Sequence, residues 1–317
     1  MSIKHSGKES GFITVFGSAN IDIGGMPHLE LIEKDSNPGL VCISPGGVGR
    51  NIAHNLCLLG NRVKLVSAFG NDEFAGMIRK NLWITGVDVK DSFISDKDHT
   101  SVYLYITDEE GNTKLAVNDM GIYRHITPEF ISEKEDLLQN SSLIVVDANL
   151  PQNTIEYICA ESCCPVIAES VSCAKVVKMK KALPNIHTIA GNYMEAGLLS
   201  GHTIDPDDFD SIRAAADALL SEGAERVVIT LSHRGVFFAD NNTSKQLPAL
   251  KANMVNSNGA GDALLSGLVT GYARSLSFED SVRLGTAAAA ITLETSDTNN
   301  PALSFESASE RKKSQGA

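Results

Sequence analysis

The sequence predicts a doubly wound α/β domain with a small β-sheet appendage, on three observations. From residue 127 onward, apolar runs of strand length alternate with helix-length stretches, the pattern of βαβ units around a mostly parallel sheet flanked by helices. Two β-rich, turn-rich segments, 23–43 and 96–118, interrupt that rhythm and are placed to pair into one small sheet. The 317 residues suffice for one large domain with such an appendage.

Taken in order, residues 1–11 are polar and lack the apolar core of a signal peptide, so we expect a disordered segment and a cytoplasmic protein. Phe12–Phe16 reads as a buried strand that delivers Gly17-Ser18-Ala19-Asn20-Ile21-Asp22 at its C-terminal end. Helical spacing follows over 51–59 and stops at Gly60; Arg62–Phe69 reads as a strand, and Asp72–Thr85 as a helix stopped by Gly86. Residues 102–106 and 114–117 flank Asp108-Glu109-Glu110-Gly111-Asn112, a hairpin signal. Strands are then expected at 143–147, 165–169, 186–190 and 226–231, and helices at 151–162, 173–182, 206–222, 260–274 and 278–294. Segments 237–239 and 243–250 read as an antiparallel addition. The α/β domain therefore comprises 12–22, 44–95 and 119–306, and the polar stretch 307–317 reads as a disordered tail.

Composition excludes some classes of partner. Against 27 Lys and Arg stand 39 Asp and Glu, a net charge of −12 that repels a nucleic-acid polymer. No run of 18 apolar residues is present to span a membrane. The six cysteines form no Cys-x-x-Cys pair and have no histidine at zinc spacing, so they read as buried reduced thiols.

Four clusters carry chemistry, and each has a plainer alternative. Gly46-Gly47-Val48-Gly49-Arg50-Asn51 before a helix permits close approach of a ligand to bare backbone, or is merely a tight turn. As a dinucleotide fingerprint it fails, because Ile52 stands where the third glycine belongs. Asn20 and Asp22, two apart at a strand end, suit a vicinal diol, or form an Asx turn. Asn192 and Glu195 share a face of a first helical turn, where they serve the water shell of Mg²⁺ or form a capping box. Asn258-Gly259-Ala260-Gly261-Asp262 opens the helix 260–274, leaving N–H groups free for a phosphate. Asp262 lies where it can take a proton from an attacking hydroxyl, and the helix dipole is expected to depress its pKa. No Walker A sequence occurs.

In order and spacing these clusters resemble the signatures of the PfkB (ribokinase-like) carbohydrate and nucleoside kinases, over roughly residues 12–306. The resemblance implies that 23–43 and 96–118 form a lid and that Mg-ATP is the phosphoryl donor. It implies Asp262 as catalytic base with Gly259, Ala260 and Gly261 as anion hole. Asn20, Asp22, Gly46, Gly47 and Asn51 would bind a ribose, with Lys175 and, by its position where the hairpin returns, Asn118 (or Asp119) beside the substrate. Asn192, Glu195, Thr230, Ser232 and Gly235 would hold the nucleotide, Glu195 meeting Mg²⁺ through water. A closer resemblance to some members runs through Gly17-Ser18-Ala19-Asn20-Ile21-Asp22, Asp35-Ser36-Asn37-Pro38-Gly39, Pro45-Gly46-Gly47-Val48-Gly49-Arg50-Asn51-Ile52-Ala53, Asn118-Asp119-Met120 and Thr298-Asn299-Asn300-Pro301, and it implies the 5′-hydroxyl of pseudouridine as the acceptor. Other sugars or nucleosides, or silent nucleoside binding, remain the alternatives.

Two positions depart from the family pattern. Val255-Asn256-Ser257-Asn258 stands where many members have Asp-Thr, which leaves a monovalent cation open, and Gly191 replaces a proline before Asn192. The lid strands expose one apolar face, either Val102/Leu104/Ile106 or Tyr103/Tyr105, and a homodimer formed through it is the expected assembly.

Overall fold

The computed structural model describes residues 11–313. Its strands are β1 (Ile13–Phe16), β2 (Asn20–Pro27), β3 (Gly39–Gly46), β4 (Val63–Val66), β5 (Ala68–Gly70), β6 (Phe93–Ser95), β7 (Val102–Thr107), β8 (Thr113–Asp119), β9 (Leu143–Asp147), β10 (Val166–Glu169), β11 (Thr188–Asn192), β12 (Arg226–Thr230), β13 (Val236–Asp240) and β14 (Ser244–Leu247). The helices are α1 (Val48–Leu58), α2 (Glu73–Thr85), α3 (Pro128–Ser132), α4 (Glu135–Asn140), α5 (Gln152–Glu161), α6 (Cys173–Val176), α7 (Tyr193–Ser200), α8 (Phe209–Ser221), α9 (Ala260–Ala273), α10 (Phe278–Thr292) and α11 (Phe305–Lys313).

Eight strands form the main sheet in the order β14-β13-β12-β11-β10-β9-β1-β4, and only the β12–β13 and β13–β14 pairs are antiparallel. Successive strand residues feed opposite faces, as the pleat requires. Phe16, Ile144, Val146, Ala168 and Ile229 join α3 to α8 in one core, while Val15, Val145, Ile167 and Val228 join α1, α2, α9 and α10 in the other. The expected doubly wound architecture is thus present. Strand order reverses at β1, which has β4 on one side and β9 on the other. The C-terminal ends of adjacent strands at such a switch leave a crevice for ligands. Close approach is built in there: a Cβ on Gly49, in the first turn of α1, would stand 2.7 Å from the Gly17 backbone.

The two interrupting segments meet. β2 pairs with β3 and, in parallel, with β7, giving a four-stranded sheet in the order β3-β2-β7-β8. Val102, Leu104 and Ile106 lie on one face of this sheet and Tyr103 and Tyr105 on the other.

Three expectations need correction. The tail is ordered from 307 to 313, where α11 buries Ala308 against Leu284 and Ala287 and anchors Arg311 to Glu294 and Lys312 to Asp280. Residues 1–10 and 314–317 lie outside the described residues. The helix expected over 173–182 is a single turn, α6, continuing as a 3₁₀ segment, Val177–Asn185, that contains Pro184. Among the six free cysteines only Cys159 is buried; Cys42, Cys163 and Cys173 are exposed, Cys42 because its strand is the sheet's edge. No helix among the described residues is long and apolar enough to cross a membrane.

Candidate active site

Five parallel strands, β1, β9, β10, β11 and β12, end on one edge of the main sheet and deliver polar side chains there. A cavity of about 200 Å³ opens at that edge, lined among others by Glu169, Asn192, Glu195, Thr230, Gly259, Gly261 and Asp262. Its wall includes the first turn of α9, a 14-residue helix whose N-cap, Gly259, provides no side-chain cap. The N–H groups of that turn therefore face the cavity without a side-chain acceptor, and the helix dipole adds positive potential. Gly261 has open space where a Cβ would stand, so the backbone there is open to the cavity.

Asp262 joins this wall to the glycine-rich loop. Asn51 Nδ2 donates to Asp262 Oδ2 at 2.8 Å. Behind it, Arg50 Nη1 donates to Asn51 Oδ1 at 2.7 Å and to Asn299 Oδ1 at 2.6 Å, while Nη2 donates to Asn81 Oδ1 at 2.7 Å. The expected depression of the Asp262 pKa is wrong. Burial of its carboxyl, aided by the charges of Asp147 and Asp22, outweighs the Asn51 hydrogen bond and the field of Arg50 and pushes it up to about 7. Burial likewise raises Asp22 to about 6, against a hydrogen bond from Asn20 and the Arg50 charge. Glu169 is held well above the usual carboxylate range by burial and by the charges of Asp262 and Glu195.

Asn20 and Asp22 point the same way from β2, and Asn20 Nδ2 donates to Asp22 Oδ1 at 2.6 Å. Gly46, opposite Asn20 on β3, leaves room for that carboxylate, since a Cβ there would stand 2.2 Å from Asp22 Oδ2. Gly47 has a φ of 97° and its missing Cβ would meet Ala19 Cα at 2.7 Å, so the loop closes on the end of β1. Asn20, Asp22, Gly46, Gly47, Asn51 and Asp262 thus form one continuous group.

Asn192 and Glu195 realise the capping box: Asn192 Oδ1 accepts from the Met194 and Glu195 N–H groups, and Glu195 Oε2 accepts from the Asn192 N–H and from Ser170 Oγ. Both still line the cavity, so capping and ligand contact are compatible. Among the described residues no group of three or more His, Cys, Asp or Glu stands ready to hold a metal directly. Thr230 reaches the cavity, whereas Ser232 and Gly235 lie in the following 3₁₀ turn, outside its lining. Lys175 donates to Asn149 Oδ1 at 2.5 Å and sits apart from the cavity. Asn118 shares a ladder row with Asp22 across Tyr103, whereas Asp119 is paired with Val102 on the opposite face.

Sequence reasoning missed Asp147, Arg50 and Glu169. Asp147 Oδ2 accepts from Ser18 N–H (2.7 Å), Ser18 Oγ (2.9 Å) and Gly49 N–H (2.9 Å). Asp147 and Glu169 each end a strand of the parallel sheet, a position that could have flagged them.

The profile of the pfkB family carbohydrate kinases matches residues 10–304. The chain is 35% identical over 300 residues to the pseudouridine kinase of Escherichia coli K12, covering 94% of this chain and 95% of that one. It is 34% identical over 303 residues to an uncharacterized sugar kinase, YeiI, of the same organism, covering 95% and 83%. Its fold matches the structure of Arabidopsis thaliana ribokinase complexed with ribose and ATP at a TM-score of 0.87 and 18% identity, over 96% of this chain and 99% of that one.

The balance of burial against dipole is directly measurable. The carboxyl carbon resonance of Asp262, assigned by comparison with Asp262→Asn, is expected to titrate near pH 7. A midpoint at or below 4 would mean that the helix dipole dominates after all.

Proposed function

This chain belongs to the pfkB carbohydrate kinase family, and on that premise we propose that it transfers the γ-phosphoryl group of ATP to the 5′-hydroxyl of pseudouridine, in the cytoplasm. The observation that carries the reading is the Asn51–Asp262 hydrogen bond. It brings the proton acceptor, the uncapped start of α9 and the diol-binding pair Asn20 and Asp22 into one site.

Mg-ATP supplies the phosphoryl group and the charge-neutralising cation. The cavity suits it: bare helix N–H groups of α9 would face the polyphosphate, Asn192 and Thr230 would line the nucleotide side, and Glu195 would hold the metal through its water shell. Ser232 and Gly235 extend that side in the turn after β12. A monovalent cation is not assigned. Asn20 and Asp22 hold the ribose diol, and the backbone at Gly46 and Gly47 lets the sugar approach. Lys175, bonded to Asn149 outside the cavity lining, is given no role in this reading. Asp262 takes the 5′-hydroxyl proton as the O–P bond forms and the bond from the γ-phosphorus to the β-bridging oxygen breaks. The N–H groups of Gly259, Ala260 and Gly261 stabilise the charge on the transferring group. A base with a pKa of about 7 suits this step at neutral pH.

The choice of pseudouridine is supported by the pseudouridine kinase of Escherichia coli, 35% identical to this chain. The sugar kinase YeiI, at 34%, supports a second reading, another sugar or nucleoside acceptor. The small sheet, as the lid over the substrate, leaves Val41, Ile43, Leu104, Leu115 and Val117 exposed on its outer face. So large an apolar patch favours a second copy of the chain as its cover.

Three experiments follow. Asp262→Asn is expected to lower kcat by about 10²–10⁴-fold with a much smaller change in KM. Retention of more than a third of wild-type kcat would remove Asp262 as the base. In an ADP-release assay across pseudouridine, uridine, adenosine, ribose and fructose, kcat/KM for pseudouridine should exceed that for uridine by at least about 10²-fold, because uridine lacks the N1–H donor. Equal turnover of uridine, or faster turnover of ribose or fructose, would sink pseudouridine while leaving the kinase intact. Sedimentation at micromolar concentration should find a dimer; a monomer would end the lid-to-lid assembly.

A further inference from the structure

The inner face of the small sheet carries an arrangement that phosphoryl transfer does not use. Ser44, Asp22, Tyr103 and Asn118 are direct ladder partners, and so form one row across β3, β2, β7 and β8. Direct partners project from the same face of a sheet. That face is turned toward the glycine-rich loop, since Gly46 leaves the space that Asp22 fills and Gly47 lies against Asn20, the hydrogen-bond partner of Asp22. In the next row Tyr105 stands beside Gly24. A Cβ on Gly24 would be 2.6 Å from Tyr105 Cζ and Oη, so the phenol ring lies across the glycine, in space only that residue leaves free. Tyr103 and Tyr105 are 5.7 Å apart between ring centroids and tilted by 31°. Both are half-buried, and so retain accessible ring surface.

Two aromatic rings thus stand beside the carboxylate that the proposed function gives to the ribose diol. Neighbouring strands are about 4.8 Å apart, so Tyr103 lies about one spacing and Asn118 about two spacings from Asp22. A nucleoside held at Asp22 by its sugar has its base over the first of these and its far edge toward the second. On the other side of Asp22 stands Ser44, on the edge strand, with no ring to cover a base. We propose that Tyr103, backed by Tyr105, is the stacking platform for the nucleobase and that Asn118 meets the edge of the base. Resting on the nucleoside reading above, this assigns the residues that make a nucleoside, rather than a free sugar, the preferred acceptor. Stacking reads only the presence of a π-face, so selection among bases falls to the edge contact.

The test compares pseudouridine with D-ribose, the base-less control, used as substrate or as competitive inhibitor. Tyr103→Ala should raise KM for pseudouridine by about 5- to 100-fold, the range of base–aromatic stacking found by alanine substitution. The constants for ribose and the KM for ATP should move less than about twofold, which also shows that the variant folds. Tyr103→Phe keeps the ring and should stay within about threefold of wild type, while Tyr103→Leu, apolar but without a π-face, should behave as Tyr103→Ala. Unchanged pseudouridine KM in Tyr103→Ala, with the wild-type preference for the nucleoside intact, overturns the platform alone. An equal loss toward ribose also overturns it, since the effect would then lie in the sugar site. A wild-type enzyme that handles ribose as well as pseudouridine overturns both the substrate reading and the platform.

Discussion

Asp147 ends β9 inside the protein, with one carboxylate oxygen accepting from the Ser18 N–H, the Ser18 hydroxyl and the Gly49 N–H, and the other from the Asn149 N–H. A buried carboxylate without partners costs several kcal/mol; with three backbone N–H groups and a hydroxyl it becomes a clamp. The clamp joins the end of β1, the first turn of α1 and the turn after β9, at the point where strand order reverses. Both halves of the site leave from it. Asn20 and Asp22 follow Ser18 into the small sheet, and Arg50 and Asn51 follow Gly49 toward Asp262. Tyr123 steadies the same corner, its hydroxyl accepting from the Ala19 N–H and donating to the Ala19 carbonyl oxygen.

Around this clamp the protein gathers Asp22, Asp147, Glu169 and Asp262, with Arg50 as the buried cation among them. Arg50 gives its hydrogen bonds to the amide oxygens of Asn51, Asn81 and Asn299 and to His54 Nδ1, not to a carboxylate. It therefore lowers the carboxylate pKa values through its field without pairing with either Asp22 or Asp262. Its own pKa falls to about 10 because burial disfavours its charge. The result is a carboxylate kept basic by enclosure and kept usable by a cation one residue removed from contact, a compromise between strength and availability.

Much of this was legible in the chain. The alternation of apolar runs with helical stretches gives the layered sheet, and the three glycine and asparagine clusters point to the candidate site, because each falls where a strand or loop meets a helix start. The readings that failed did so where local pattern meets tertiary burial. At Asp262 the first-turn position argues for a low pKa, but the dipole is a local term and enclosure by distant residues outweighs it. At Asn192 and Glu195 the local pattern favours the cap over the ligand site, and the structure has the cap formed on the wall of the cavity. Asp147 offers only its place at a strand end as a signal, because its partners, Ser18 and Gly49, lie about 100 or more residues away. Residues 307–313 looked polar and aperiodic, yet a single buried alanine and two ion pairs suffice to dock them as a helix.

The parallel pairing of β2 with β7 closes a sheet from two excursions that are remote in sequence, each leaving the main domain and returning to it. On the reading proposed above, the acceptor-side groups of the small sheet reside in two short, contiguous stretches, whereas the uncapped α9 start, Asp262 and the capping box of α7 belong to the remainder of the chain. Selection and transfer would then be written in separable passages of the same gene. A lineage, or an engineer, can revise one while the other is copied unchanged.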